Sequence, residues 1–161
     1  MTTTPNNPNP SRAEAEVVEL VSSLIRFDTS NTGELETTKG ERACAEWVAA
    51  QLQEVGYETE YVESGAPGRG NVFARLKGAE SGRGALMLHG HLDVVPAEPA
   101  DWSVHPFAGT VQDGYVWGRG AVDMKDMVGM ILALARQFKA EGVVPPRDLV
   151  FAFVADEEAG G

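Results

Sequence analysis

Apolar residues recur at helical spacing from Val17 to Ile25 (Val17, Val18, Leu20, Val21, Leu24, Ile25), which predicts an amphipathic helix. Ser11-Arg-Ala-Glu14, just ahead of it, is a capping box able to satisfy the first free N–H groups. A polar loop, Asp28 to Thr37, precedes a second helical pattern through Cys44, Trp47, Val48, Leu52 and Val55 that stops at Gly56. The period then shortens. Strands are predicted at Tyr57–Glu63, Asn71–Lys77 and Ala85–His91, divided by glycine-rich turns at Gly65–Gly70 and Gly78–Gly84. Gly109–Trp117 reads as a hairpin turning at Asp113-Gly114. Met124–Glu141 is a third helix with Val128, Ile131, Leu132, Ala135 and Phe138 inward, and after Pro145-Pro146 the run Leu149–Ala155 is apolar enough for a strand buried on both faces. Strands alternating with helices predict an α/β fold: a layered mixed, largely parallel sheet flanked by helices.

Composition narrows the class without naming a function. A chain of 161 residues suffices for one domain with a sizeable core, and 43% hydrophobic with 23% charged residues is ordinary for a globular protein. The net charge of −11 and the absence of a basic patch argue against nucleic acid and against anionic membranes as partners. Cys44 is the single cysteine and lies on an apolar helical face, so it is expected in the core; neither an internal disulfide nor a thiolate zinc site can be built. Residues 1–10, polar and proline-rich, are expected to form a disordered tail ahead of a domain spanning 11–161. With no apolar leader and no membrane-length run, a reducing cytoplasm is the expected compartment.

Candidate chemistry gathers where predicted elements end. His89-Gly-His91-Leu-Asp93 closes one strand, Gly118-Arg-Gly-Ala-Val-Asp123 precedes the third helix, and Asp156-Glu157-Glu158 follows the last strand. If the strands lie side by side, all three segments meet at the carboxyl edge of the sheet, where open α/β folds hold ligands. Packed carboxylates raise one another's pKa, and a metal ion relieves them. Imidazole with carboxylates suits zinc, with cobalt or manganese as alternatives. His91 can offer a ring nitrogen while Asp93 fixes its tautomer. Of the neighbours Glu157 and Glu158, one can bind metal while the other faces the metal-bound water, and Asp123 has two oxygens with which to bridge two ions. Each segment alone has a plainer reading: a hydrogen-bonded strand-end histidine, a solvated Glu-Glu turn, an N-cap or first-turn acid at Asp123. A phosphate loop at Gly118-Arg-Gly120 lacks the glycine fingerprint after a strand.

Taken together, Leu88-His-Gly-His-Leu-Asp-Val-Val-Pro96, Trp102–Phe107, Asp113-Gly-Tyr-Val-Trp-Gly-Arg-Gly-Ala-Val-Asp-Met-Lys125 and Asp156-Glu-Glu-Ala-Gly-Gly161 closely resemble the two-zinc metallopeptidase and deacylase family. That family includes aminoacylase, acetylornithine deacetylase, succinyl-diaminopimelate desuccinylase and glutamate carboxypeptidase. The resemblance implies that His91 and Glu158 each bind one zinc, that Asp123 bridges the two and is followed by a cis peptide to Met124, that Asp93 orients His91, and that Glu157 is the general base. His89 matches no ligand position, and Asp126 stands where the family usually has glycine.

By this resemblance the chain is the N-terminal part of a catalytic domain. Two further ligands, and a smaller lid domain that helps bind substrate and pair subunits, are expected outside it, which leaves a homodimer open for a full-length protein. The implied reaction is zinc-dependent hydrolysis of an amide or peptide bond in N-acyl amino acids or short peptides, with the 161-residue chain inactive by itself. A non-catalytic binding or regulatory fragment of the same lineage is the alternative.

Overall fold

The computed structural model describes residues 9–80 and 82–160, so residues 1–8 of the expected disordered tail lie outside the described residues. Helix α1 spans Arg12–Ile25, α2 Arg42–Glu54 and α3 Lys125–Ala140. The strands are β1 Thr59–Glu63, β2 Gly70–Leu76, β3 Leu86–His91, β4 Thr110–Gln112, β5 Tyr115–Trp117 and β6 Leu149–Val154, with one 3-10 turn at Pro99–Asp101. The capping box forms as the sequence predicts: the Ser11 hydroxyl accepts from the Glu14 N–H, and the Glu14 carboxylate accepts from the Ser11 N–H at 2.7 Å.

Four strands form one sheet in the order β1-β2-β6-β3. The sheet is mixed, as the alternation suggests, but its parallel share is smaller than expected. Among the described strands only β3 and β6 run parallel, whereas β1–β2 and β2–β6 are antiparallel. The reason lies in the connections. Short glycine-rich links from β1 to β2 and from β2 to β3 cannot hold the crossover a parallel neighbour requires, while the path from β3 to β6 carries α3 and can. Strands β4 and β5 form a separate hairpin whose turn residues Asp113 and Gly114 both have positive φ (54° and 82°), the backbone a two-residue hairpin turn needs.

The core lies between one sheet face and the helices. Val72, Leu76, Phe151 and Phe153 from the sheet meet Leu24, Cys44, Leu52, Val128 and Leu132 from the helices, and all are buried. Phe151 stands edge-on to Tyr57, with ring centroids 5.8 Å apart. On the opposite face Val150 and Val154 of β6 are only half-buried, so burial on both faces is only partly realised. Helices α1 and α3 approach closely at Gly129, where an added Cβ would lie 2.4 Å from Val21 Cγ2. Arg136 of α3 clasps the other two helices, donating to Glu16 of α1 and to Glu54 and the Gln51 carbonyl of α2.

Candidate metal centre

His91 ends β3 in register with Val154, the last residue of the neighbouring parallel strand β6. Both chains then leave the sheet at the same edge, as parallel pairing demands. The outgoing β6 chain turns through Asp156, whose φ of 68° is left-handed, and the following N–H groups of Glu157 and Glu158 donate to the two carboxylate oxygens of Asp93 at 3.1 and 3.0 Å. Asp93 therefore shapes the turn that carries the glutamates. It also holds His91: the ring Nδ1 lies 3.0 Å from the Asp93 carbonyl oxygen and 3.4 Å from a carboxylate oxygen. The sequence predicted the carboxylate as the partner; the shorter contact is to the main chain.

With Nδ1 so held, Nε2 faces outward. It lies 3.1 Å from Asp123 Oδ1 and 3.7 Å from Glu157 Oε2. Asp123 precedes the N-cap of α3, which is Met124, so the plainer reading of Asp123 as a helix cap does not hold. The Asp123–Met124 peptide is cis. His91, Asp123 and Glu158 each present a ligand atom within 4.8 Å of the others. His89 points from an exposed position on β3 and is not one of them, and Asp126 sits in the first turn of α3, where its carboxylate suits the positive helix end.

The electrostatics favour a cation here. A hydrogen bond from the ring to the Asp93 carboxylate, opposed by burial and aided by Asp123, draws the His91 pKa up to about 9. Burial alone would raise Asp93, but hydrogen bonds from His91, Asn31 and the Glu158 and Glu157 N–H groups outweigh it and bring it to about 2. Glu158 is pushed up by burial, pulled down by His91, and pushed up again by Asp123 and Asp93. Carboxylates crowded around one imidazole, with a ring nitrogen directed among them, form a donor set that fits zinc.

Behind these residues runs a polar network that sequence reasoning missed. Asn31 donates to Asp93 Oδ2 (2.8 Å) and to Asp156 Oδ1 (2.9 Å). Arg69, buried just ahead of β2, donates to Glu41 (2.8 Å) and Asn31 Oδ1 (3.1 Å) and pairs with Asp156 at 3.0 Å. Glu41 is the N-cap of α2 but turns its side chain to Arg69 instead of to the helix; burial pushes its carboxyl up, Arg69 opposes this, and Oε2 finds no donor among the described residues. Loop residue Thr29 donates to Leu92 O and the Asn31 N–H donates to Val94 O, stitching this loop to the strand exit beside His91. Lys125, buried beneath the centre, donates to the Leu24 and Phe27 carbonyls at the end of α1. Asn31 and Arg69 fall in stretches that read as plain loop and glycine-rich turn, and no local pattern marks them.

An imidazole and carboxylates collected at the carboxyl ends of parallel strands make a candidate metal site on an α/β sheet. Residues 87–161 match Peptidase family M20/M25/M40, and the chain belongs to that family. Similar proteins include a succinyl-diaminopimelate desuccinylase of Delftia acidovorans (strain DSM 14801 / SPH-1), 36% identical over 124 residues that make up 75% of this chain and 32% of that protein. A probable carboxypeptidase S-like 2 of Dictyostelium discoideum is 42% identical over 86 residues, 53% of this chain and 17% of that protein. Among solved structures, human carnosine dipeptidase 1 superposes with a TM-score of 0.76 at 26% identity, covering 96% of this chain and 36% of that one. The chain thus spans about a third of the length of the desuccinylases and solved structures it matches. No helix among the described residues is long and apolar enough to cross a membrane.

Proposed function

We propose that the protein is a metal-dependent hydrolase of amide bonds, acting on N-acyl amino acids or short peptides. The observation that carries this reading is the meeting of His91, Asp123 and Glu158 within 4.8 Å at the carboxyl edge of the β3–β6 pair. His91 through Nε2, Asp123 and Glu158 would hold zinc, with the second oxygen of Asp123 available to share between two ions. Bound there, zinc supplies Lewis acidity towards a carbonyl oxygen and towards water.

The chain's own residues account for the rest. Asp93 fixes the imidazole from behind, so that one ring nitrogen is kept for the metal. Glu157, its side chain 61% exposed, is free to receive the proton of an attacking water. That water's oxygen bonds to the carbonyl carbon, the carbon–nitrogen bond breaks, and Glu157 returns the proton to the departing amine. Desuccinylase and dipeptidase relatives support acyl-amino-acid or dipeptide substrates. The test is Glu157→Ala in the whole protein. Turnover of an N-acyl amino acid or dipeptide should fall by about 10²–10⁴-fold with zinc content unchanged, as loss of a general base implies. Undiminished turnover would sink the assignment.

A further inference from the structure

Three carboxylates, Glu41, Asp93 and Asp156, converge behind the candidate metal centre. One permanent cation, Arg69, reaches into the space between them. It is 5% exposed and contacts Glu41, Asn31 and Asp156 at 2.8–3.1 Å. Asn31, 4% exposed, uses its amide as a splitter: the oxygen accepts from Arg69 while the nitrogen donates to Asp93 and to Asp156. Asp93 is fully buried and passes this arrangement outward, to the His91 ring on one side and to the Glu157 and Glu158 N–H groups on the other. Every covalent route from Arg69 to these site residues is long: Arg69 precedes β2, whereas Asn31 lies in the α1–α2 connection and Asp156 follows β6.

We propose that Arg69, acting through Asn31, is a positioning residue of the metal centre. It holds Asp93 and Asp156 in one geometry and thereby sets both the His91 ring and the turn that presents Glu157 and Glu158. The planar guanidinium matters because one terminal nitrogen meets Glu41 while the other meets both Asn31 and Asp156, and a lysine ammonium on a flexible stem cannot span them with fixed directions. The inference rests on the metal-site reading above. Outer partners of metal ligands, when removed, weaken metal affinity by about 10–100-fold.

The experiment measures Zn²⁺ affinity by competition with a chromophoric chelator, and the visible spectrum of the Co²⁺ form, for the whole protein and its Arg69→Met, Arg69→Lys and Asn31→Ala variants. Arg75→Met, which removes an exposed pair with Asp148, is the control. Expected is a 10–100-fold weaker zinc affinity and an altered Co²⁺ spectrum for Arg69→Met and Asn31→Ala, incomplete rescue by Arg69→Lys, and no change for Arg75→Met. Folded Arg69→Met or Asn31→Ala protein with affinity within threefold of the parent and an unchanged spectrum would overturn the proposal. So would failure of both to fold, since the cluster would then be a folding element. If the parent itself takes up no zinc, it is the metal-site reading that falls.

Discussion

The close approach of α1 and α3 at Gly129 offers a test in which two effects of known size oppose each other. Gly129 lies within α3, and replacing glycine by alanine in a helix interior normally stabilises by about 1 kcal/mol. Here the new Cβ would sit 2.4 Å from Val21 Cγ2 and 3.3–3.4 Å from the Val21 main chain. Val21 is 6% exposed, so its methyl has little room to retreat, and overpacking of this kind costs about 1–3 kcal/mol. A 2.4 Å approach with main-chain atoms behind it puts the cost in the upper part of that range, about 2–3 kcal/mol, so overpacking should win and leave Gly129→Ala about 1–2 kcal/mol less stable. In a Val21→Ala background the worst clash disappears and only the main-chain contacts remain. The same Gly129→Ala change should then be near neutral, giving a favourable coupling of at least about 1 kcal/mol, beyond the few tenths expected of independent sites. Urea unfolding of the four proteins, followed by circular dichroism, reads this directly. A Gly129→Ala protein as stable as its parent, or an equal cost in both backgrounds, would refute the packing argument.

Three further outcomes are expected. In metal-free protein, Asp93, lowered to about 2, contributes stability that is full above its unfolded value of about 3.9 and lost as pH falls through 2. His91, raised to about 9, contributes stability that is full below about 6.5 and lost as pH rises through 9. The pair therefore stabilises most between about pH 4 and 6.5, and Asp93→Asn should flatten both limbs of a Tm-versus-pH profile measured in chelator; an unaltered profile would contradict the pairing. Removing metal with a chelator should abolish hydrolysis by the whole protein, and zinc or cobalt should restore it; full activity after verified metal depletion would exclude a metal-dependent reaction. Finally, the 161-residue chain produced by itself should hydrolyse none of the proposed substrates, because its relatives are more than twice its length and the family resemblance expects two further metal ligands outside it; zinc-dependent turnover by it would refute this.

Elements with a clean period were legible from sequence. α1 carries both an apolar stripe and a capping box, and the Asp113-Gly114 turn has the residue pair its backbone requires, so each is found where the pattern puts it. The sheet's direction was less legible, because periodicity marks a strand without saying which neighbour it joins. The insertion of β6 between β2 and β3 is a tertiary fact. The site divides in the same way. His91, Asp93, Asp123, Glu157 and Glu158 stand at element ends in recognisable motifs, and the structure brings them together. Asn31, Arg69, Glu41 and Lys125 are single polar residues in loops or at helix starts, identical in sequence to solvated ones. Only burial distinguishes them.

The strand order has a consequence for how the molecule comes into being on the ribosome. The seat between β2 and β3 is filled by β6, whose residues follow the end of β3 by about 60 positions. At ordinary synthesis rates of about 5–20 residues per second, the nascent chain carries β2 and β3 for some seconds before the strand that joins them has been translated. Through that interval two apolar strands have open edges towards each other and no correct partner, and a mispaired β2–β3 contact is the nearest error available. Production of this protein in a foreign host should therefore respond to temperature, elongation rate and chaperone supply between residues 91 and 154 more than to changes in the α1–α2 region.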